Sequence, residues 1–299
     1  MDKARVRQKE PLFINIDETS IPLIFTHGKG NIMVVNGQQA WQGALRQRIA
    51  HEQTRLNFTH LATICNKPEL QPLMPQIIFV GRNALRVADW NRICNELPPN
   101  VYLKRMPSAW NTNEQHRVFL RLLRAILEPF MDTYQPILFF DTAPSHMRGE
   151  LLADLPLLGI WYAIIPPRMT WLLQPCDTHA FQKFKLFLKQ NFQDELAEAG
   201  GRLAIEYMIK LVVKAIRKVL QRFVWADSFI QNGLTGNHRA ISKYIRQQLQ
   251  RVEIEPFSIE CPTMDQIRRL WPRNRAVPLA QVMDSLADPD GYAAESEGE

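Results

Sequence analysis

The run Pro136-Ile137-Leu138-Phe139-Phe140 constrains this chain more than any other stretch. Five consecutive apolar residues without alternation read as a strand covered on both faces. A short helical piece, Leu151 to Leu158, follows it. A second buried strand, Ile160 to Ile165, comes next and is ended by Pro166-Pro167. A helix starting at Asp177 then carries Phe181, Phe184, Leu188 and Phe192 on one side. Strands alternating with helices, after strands near the N-terminus, predict an α/β protein with a mixed sheet flanked by helices.

The block from about 12 to 80 reads as strand-rich. Leu12 to Ile16, Ile21 to Phe25 and Ile32 to Val35 are short apolar runs, the last two separated by the turn Gly28-Lys29-Gly30. Leu61 to Ile64 and Gln76 to Val80 complete a meander, with Pro68, Pro72 and Pro75 in the connection. A short helix is expected between Gln38 and Glu52. From Asn113, Val118, Leu122, Ile126 and Leu127 fall at helical spacing, with Arg117, Arg121 and Arg124 toward another face and a stop at Pro129. Beyond residue 202 the pattern is helical again. Met208, Leu211, Val212, Ala215, Ile216 and Val219 form an apolar stripe beside the basic stripe Lys210, Lys214, Arg217 and Lys218. Asp284 to Glu299 holds six acids and no base, which predicts a disordered acidic tail.

At 299 residues the chain can build one large domain or two modest ones, and 46% hydrophobic residues can fill a core. A net charge of +6 is compatible with a nucleic-acid partner. The bias is sharper between Phe181 and Arg251, where 13 bases face 5 acids. Cys65, Cys94, Cys176 and Cys261 are scattered without a CxxC pair, so cysteine spacing indicates neither a zinc site nor a disulfide framework, and a reducing compartment is expected. No signal peptide is evident at the N-terminus, and no apolar run is long enough to span a membrane.

Three aspartates stand where strands are expected to end. Asp17 closes Leu12 to Ile16, Asp141 closes the run ending at Phe140, and Asp177 follows Leu172-Leu173-Gln174-Pro175-Cys176. Carboxylates at the ends of buried strands suit the holding of hard divalent cations against phosphate oxygens. Each also has a plainer reading: a polar strand terminus for Asp17, a turn bonded to its own backbone for Asp141, and a helix N-cap for Asp177. Adjacent residues on a strand point to opposite faces, so only one of Asp17 and Glu18 can look into a shared site. His146 can orient a carboxylate, a water or a phosphate, or satisfy its own loop. Gln174 and Lys185 can contact phosphate or base, or lie on a helix or loop surface. Phosphate-loop, nucleophile-elbow and His-Glu-x-x-His motifs are absent.

Three segments together carry more: Asn15-Ile16-Asp17-Glu18-Thr19; Phe140-Asp141-Thr142-Ala143-Pro144-Ser145-His146; and Pro166 through Asp177, with Pro166-Pro167, Thr170 and Leu173-Gln174-Pro175-Cys176-Asp177. In this order and spacing they resemble the DDE superfamily endonuclease domain of pogo/Tigger and mariner-type transposases. The resemblance implies an RNase H-like domain over residues 12–195; periodicity and charge add a helical basic extension over 196–280 and the acidic tail over 281–299. It implies that Asp17, Asp141 and Asp177 bind two Mg²⁺ or Mn²⁺ ions about 3.5–4 Å apart, with His146, Gln174 and Lys185 as auxiliaries. It further implies DNA as partner, phosphodiester hydrolysis and strand transfer as activity, a nuclear location and room for a homodimer, with neither membrane nor organic cofactor.

Thr142 departs from the Asn usual in that family, and Cys176, Thr178 and His179 depart around the last aspartate. Only 16 residues precede Asp17, too few for the helix-turn-helix modules the family carries upstream. A domesticated or decayed DNA- or chromatin-binding descendant is therefore the alternative expectation, and a ribonuclease H-like hydrolase of another nucleic acid a third.

Overall fold

The computed structural model describes residues 9–22, 31–34, 45–48, 57–107, 111–167, 169–198, 205–235, 242, 243 and 245–247. The expected Gly28-Lys29-Gly30 turn and the acidic tail lie outside these residues.

Six strands make one mixed sheet in the order β6-β5-β4-β1-β7-β8. They are β1 (Glu10–Pro22), β4 (Asn57–Cys65), β5 (Gln76–Gly81), β6 (Val101–Met106), β7 (Tyr134–Phe140) and β8 (Trp161–Ile164). β1 pairs antiparallel with β4 and parallel with β7, so the sheet changes direction at its centre. β4 and β5 are antiparallel, and β7 and β8 are parallel. This is the α/β mixed sheet flanked by helices that the sequence led us to expect, with β6 added beside β5.

Several expectations need correction. Leu12 to Ile16 and Ile21 belong to one 13-residue strand, so Asp17 lies inside β1 and does not end it. The strand continues because β4 offers partners along its whole second half, from Ile14 to Pro22. In the Gln38 to Glu52 region, Leu45–Arg48 is a strand, β3, paired with β2 (Asn31–Val34), where a helix was expected. A ladder partner outweighs weak local preference in a segment this short. β8 is half-buried because it is the sheet edge; only the flanking Ile160 and Ile165 are fully covered.

Helices cover both faces. On one face lie α2 (Asn113–Leu127) and α3 (Gly149–Leu157), against Leu12, Ile14, Ile16, Phe79, Leu138 and Phe140. α2 starts where the Thr112 hydroxyl accepts the Gln115 N–H at 3.3 Å. Its length is as expected, but its inner face is Phe119, Leu120, Leu123 and Leu127 together with His116. Val118, Leu122 and Ile126 are only half-buried, and Arg124 is turned inward. The stripe containing Phe119 has the larger apolar area to remove from water, so it faces the sheet.

The other face carries α4 (Phe181–Glu198), α5 (Ile205–Ala215) and α6 (Ala226–Gln231). Phe181, Phe184, Leu188 and Phe192 of α4 are buried as the spacing predicts, and so is the stripe from Met208 to Val219. They share one core with Ile64, Ile78, Val80 and Phe139 of the sheet. α1 (Val87–Glu96) packs beside β6, held by the Trp90 indole N–H donating to the Leu103 carbonyl at 3.1 Å. Among the described residues, no helix is long and apolar enough to cross a membrane.

Candidate metal centre

The central parallel pair sets the geometry. β1 and β7 are last paired at Asn15 and Phe139, and two steps further along each chain stand Asp17 and Asp141. Residues two apart on a strand share a face. Both aspartates therefore lie at the mouth of the β1–β7 seam, on the side where Phe13 and Phe139 pack against α4 to α6. β7 has ended by Asp141, which leaves a gap at the seam for a third group.

That group comes from a helical turn. A single turn at Thr170–Leu173 leads into a π-helical turn, Cys176–Ala180, which runs on into α4. Asn15 pins it to β1: its Oδ1 accepts the Cys176 N–H at 2.8 Å, and its Nδ2 donates to the Phe139 carbonyl at 2.9 Å. Gln174 adds a contact from Nε2 to the Ile16 carbonyl at 3.4 Å. Asp177, the next residue after Cys176, is thereby brought to Asp17. It follows no strand, and it caps no helix: Pro175 stands at the cap position, without a side-chain cap bond. A π-turn lets a helix bulge locally while its backbone bonds continue, a device frequent at functional sites.

The electrostatics reflect the crowding. Burial pushes the Asp17 carboxyl well above the ordinary carboxylate range, and the charges of Asp177, Glu18 and Asp141 push it further; the Glu18 N–H, donating to Asp17 Oδ1 at 2.8 Å, opposes them. Burial also raises Asp177. The Lys185 ammonium and hydrogen bonds from Thr170 and the acid form of Asp17 pull Asp177 down, and Asp141 raises it. Asp141 behaves oppositely. Burial would raise it, but the His146 ring donates Nδ1–H to its Oδ1 at 2.6 Å and the Ala143 N–H donates at 3.0 Å, and the net shift is downward. Three carboxylates at one seam cannot all ionise without a compensating cation.

A second group lies across β1. Glu18 points to the α2 side, where His116 Nε2 is 3.0 Å from its Oε1 and His146 Nε2 is 3.5 Å from its Oε2. The Asn111 Nδ2 donates to Glu18 Oε1 at 2.7 Å. Burial and the neighbouring His146 charge lower His116 to about 4. Burial alone would lower His146 too, but its hydrogen bonds to Asp141 and Glu18 prevail and raise it to about 10.

The structure thus brings Asp17, Asp141 and Asp177 together and sets His146 against Asp141. Gln174 is fully buried, its Oε1 lacking a hydrogen-bond partner, so the surface reading of it fails. Lys185 is exposed, with its ammonium 5.6 Å from the Phe181 ring centre and its charge felt by Asp177. Sequence reasoning missed Asn15, Asn111 and His116 and gave Glu18 no role. Asn15 carried a signal: it is a polar residue on the face of β1 that also bears Phe13 and Asp17.

No family model matches the chain, and no curated protein matches it. Among solved structures, the Mos1 transposase paired-end complex with left transposon end matches with 16% identity and a TM-score of 0.39, over 74% of this chain and 55% of that one. The Mos1 mariner paired end complex with Mn matches with 14% identity and a TM-score of 0.37, over the same 74% and 55%. The chain spans about half the length of those chains.

Proposed function

We propose that this chain is a transposase-derived, divalent-metal-dependent DNA endonuclease and strand-transfer domain. The observation that carries the reading is the meeting of Asp17, Asp141 and Asp177 at the β1–β7 seam. The donor set fits the ions concerned, because oxygen-only ligands suit Mg²⁺ or Mn²⁺. The raised Asp17 carboxyl fits as well: it marks a site whose negative charge lacks a counter-charge. Asp17 would hold a cation from the strand, Asp177 from the π-turn and Asp141 from the end of β7, a set sufficient for two ions. Bound there, Mg²⁺ or Mn²⁺ supplies Lewis-acid polarisation of a phosphodiester and a lowered pKa for the attacking water.

The remaining side chains have definable tasks. His146 aims Asp141 and keeps it ionised. Asn15 fixes the π-turn on β1 and so sets where Asp177 stands. The DNA backbone would follow a groove of about 580 Å³ lined by Lys210, Lys214, Arg217, Lys218 and Arg222. Nuclear residence is part of the same proposal.

The test is nicking of supercoiled plasmid by the full chain with Mg²⁺ or Mn²⁺, beside Asp141→Asn. Metal-dependent nicking that the substitution abolishes supports the proposal. Equal products from both proteins would contradict it and favour the reading of a DNA- or chromatin-binding descendant.

A further inference from the structure

We propose that Glu18, His116 and His146 form a second cation site, for a zinc-class ion, on the opposite side of β1 from the three aspartates. The donors come from three elements: β1, α2 and the loop after β7. His116 Nε2 and His146 Nε2 are 3.0 Å apart, and Glu18 oxygens lie 3.0 and 3.5 Å from them. These are close to the edges of a tetrahedron around zinc, roughly 3.3 Å for ordinary Zn–N and Zn–O bonds. Two imidazoles and one carboxylate suit zinc better than magnesium. Both rings are buried, while Glu18 keeps an opening to solvent.

Two further features point to a ligand. His116 Nε2 has both His146 Nε2 and Glu18 Oε1 at 3.0 Å, while the Asn111 Nδ2 flanks the ring at 2.7 Å from Nε2 and 3.4 Å from Nδ1. One ring nitrogen has a single in-plane lobe and cannot serve both. A cation between the donors removes that conflict. The buried Asn111 Oδ1 meanwhile has no hydrogen-bond partner. Turning the amide over exchanges its oxygen and nitrogen and offers a fourth donor at the same place. The outer environment fits too, since His146 directs its other nitrogen at Asp141, 2.6 Å away. A carboxylate behind a metal-binding histidine is the usual second partner. Such an ion would clamp α2 and the Asp141 loop to β1. The site does not depend on the nuclease reading.

The experiment titrates the chelator-treated full chain with Co²⁺, with Mg²⁺ in large excess to occupy oxygen-only sites. One equivalent of intense visible absorption, of the kind tetrahedral cobalt gives, is expected, and Zn²⁺ should displace it. His116→Gln should weaken Co²⁺ binding at least tenfold, and Asp177→Asn should leave it unchanged. His116→Cys supplies a thiolate and should add a sulfur-to-cobalt band in the near ultraviolet. No visible band in the wild type overturns the proposal, as does a band that survives His116→Gln or vanishes in Asp177→Asn. Should His116→Gln misfold, a folded His116→Cys protein without the sulfur band is equally contradictory. A wild type that binds cobalt but nicks no plasmid with Mg²⁺ or Mn²⁺ would count against the nuclease reading alone.

Discussion

The two faces of β1 carry different chemistry one residue apart. Asp17 joins Asp141 and Asp177 in a pocket of oxygens, while Glu18 joins His116 and His146 in a group dominated by ring nitrogens. The pleat separates them, since neighbouring side chains leave a strand on opposite sides. The expectation that only one of Asp17 and Glu18 could face a shared site is right in form, but each residue meets a cluster of its own. The faces are linked through the Asp141–His146 hydrogen bond. Burial alone does not decide charge in this molecule. His60, fully buried against Phe184 and bonded to the Gln76 amide at 3.1 Å, is lowered to about 3, whereas His146, between two carboxylates, rises to about 10.

The largest effect should come from the residue that touches both faces. Asp141→Asn removes an ionised oxygen from one pocket and the anionic partner of His146 from the other, and it should lower Mn²⁺ affinity at least about a hundredfold. Isothermal titration reads this, and a change of less than tenfold would break the link between the faces. Next in size is the pin between π-turn and strand. Asn15→Leu leaves the Cys176 N–H and the Phe139 carbonyl without their partner, which should cost about 2–4 kcal/mol in urea unfolding. A loss below about 0.5 kcal/mol would mean that something else holds Asp177 in place.

A smaller effect has the opposite sign. The folded-state pKa of Asp17 lies above its unfolded value, so ionising it opposes folding. The metal-free chain should lose stability as pH rises from about 4, the unfolded value, through the folded one. Asp17→Asn should remove that loss and stabilise the metal-free protein at neutral pH by about 1 kcal/mol or more. A destabilised Asp17→Asn would contradict the crowding. Smallest is a contrast seen by NMR. In the metal-free chain the His60 ring should stay neutral from pH 8 down to about 4, while His146 stays charged up to about pH 9. Parallel titration of the two rings would erase the distinction drawn from their partners.

Much of this was legible in the sequence because it rests on short-range pattern. The apolar side of α4 and the stripe from Met208 to Val219 each hold a single period and are buried as expected, and the run to Phe140 is buried except at the half-buried Ile137. The motifs around Asp17, Asp141 and Asp177 singled out residues that the fold then brought together. Three things were hidden, each decided by a partner far along the chain. β1 runs past Asp17 because β4 pairs with it there. Asp177 sits in a π-turn because Asn15, 161 residues before Cys176, captures that residue's N–H. His116 was overlooked because the apolar face of α2 was placed on Val118 and Leu122, whereas Phe119 and Leu123 face the sheet. Turning the helix by that one position brings His116 inward, where it meets Glu18.

The central claim is that three distant carboxylates share a cation. It is tested most directly by Mn²⁺ binding to the full chain, followed by electron paramagnetic resonance, for the wild type, Asp17→Asn, Asp177→Asn and His116→Gln. The account predicts that each aspartate substitution weakens binding about tenfold or more, while His116→Gln leaves the isotherm in place. Superimposable isotherms for the wild type and Asp17→Asn would contradict it.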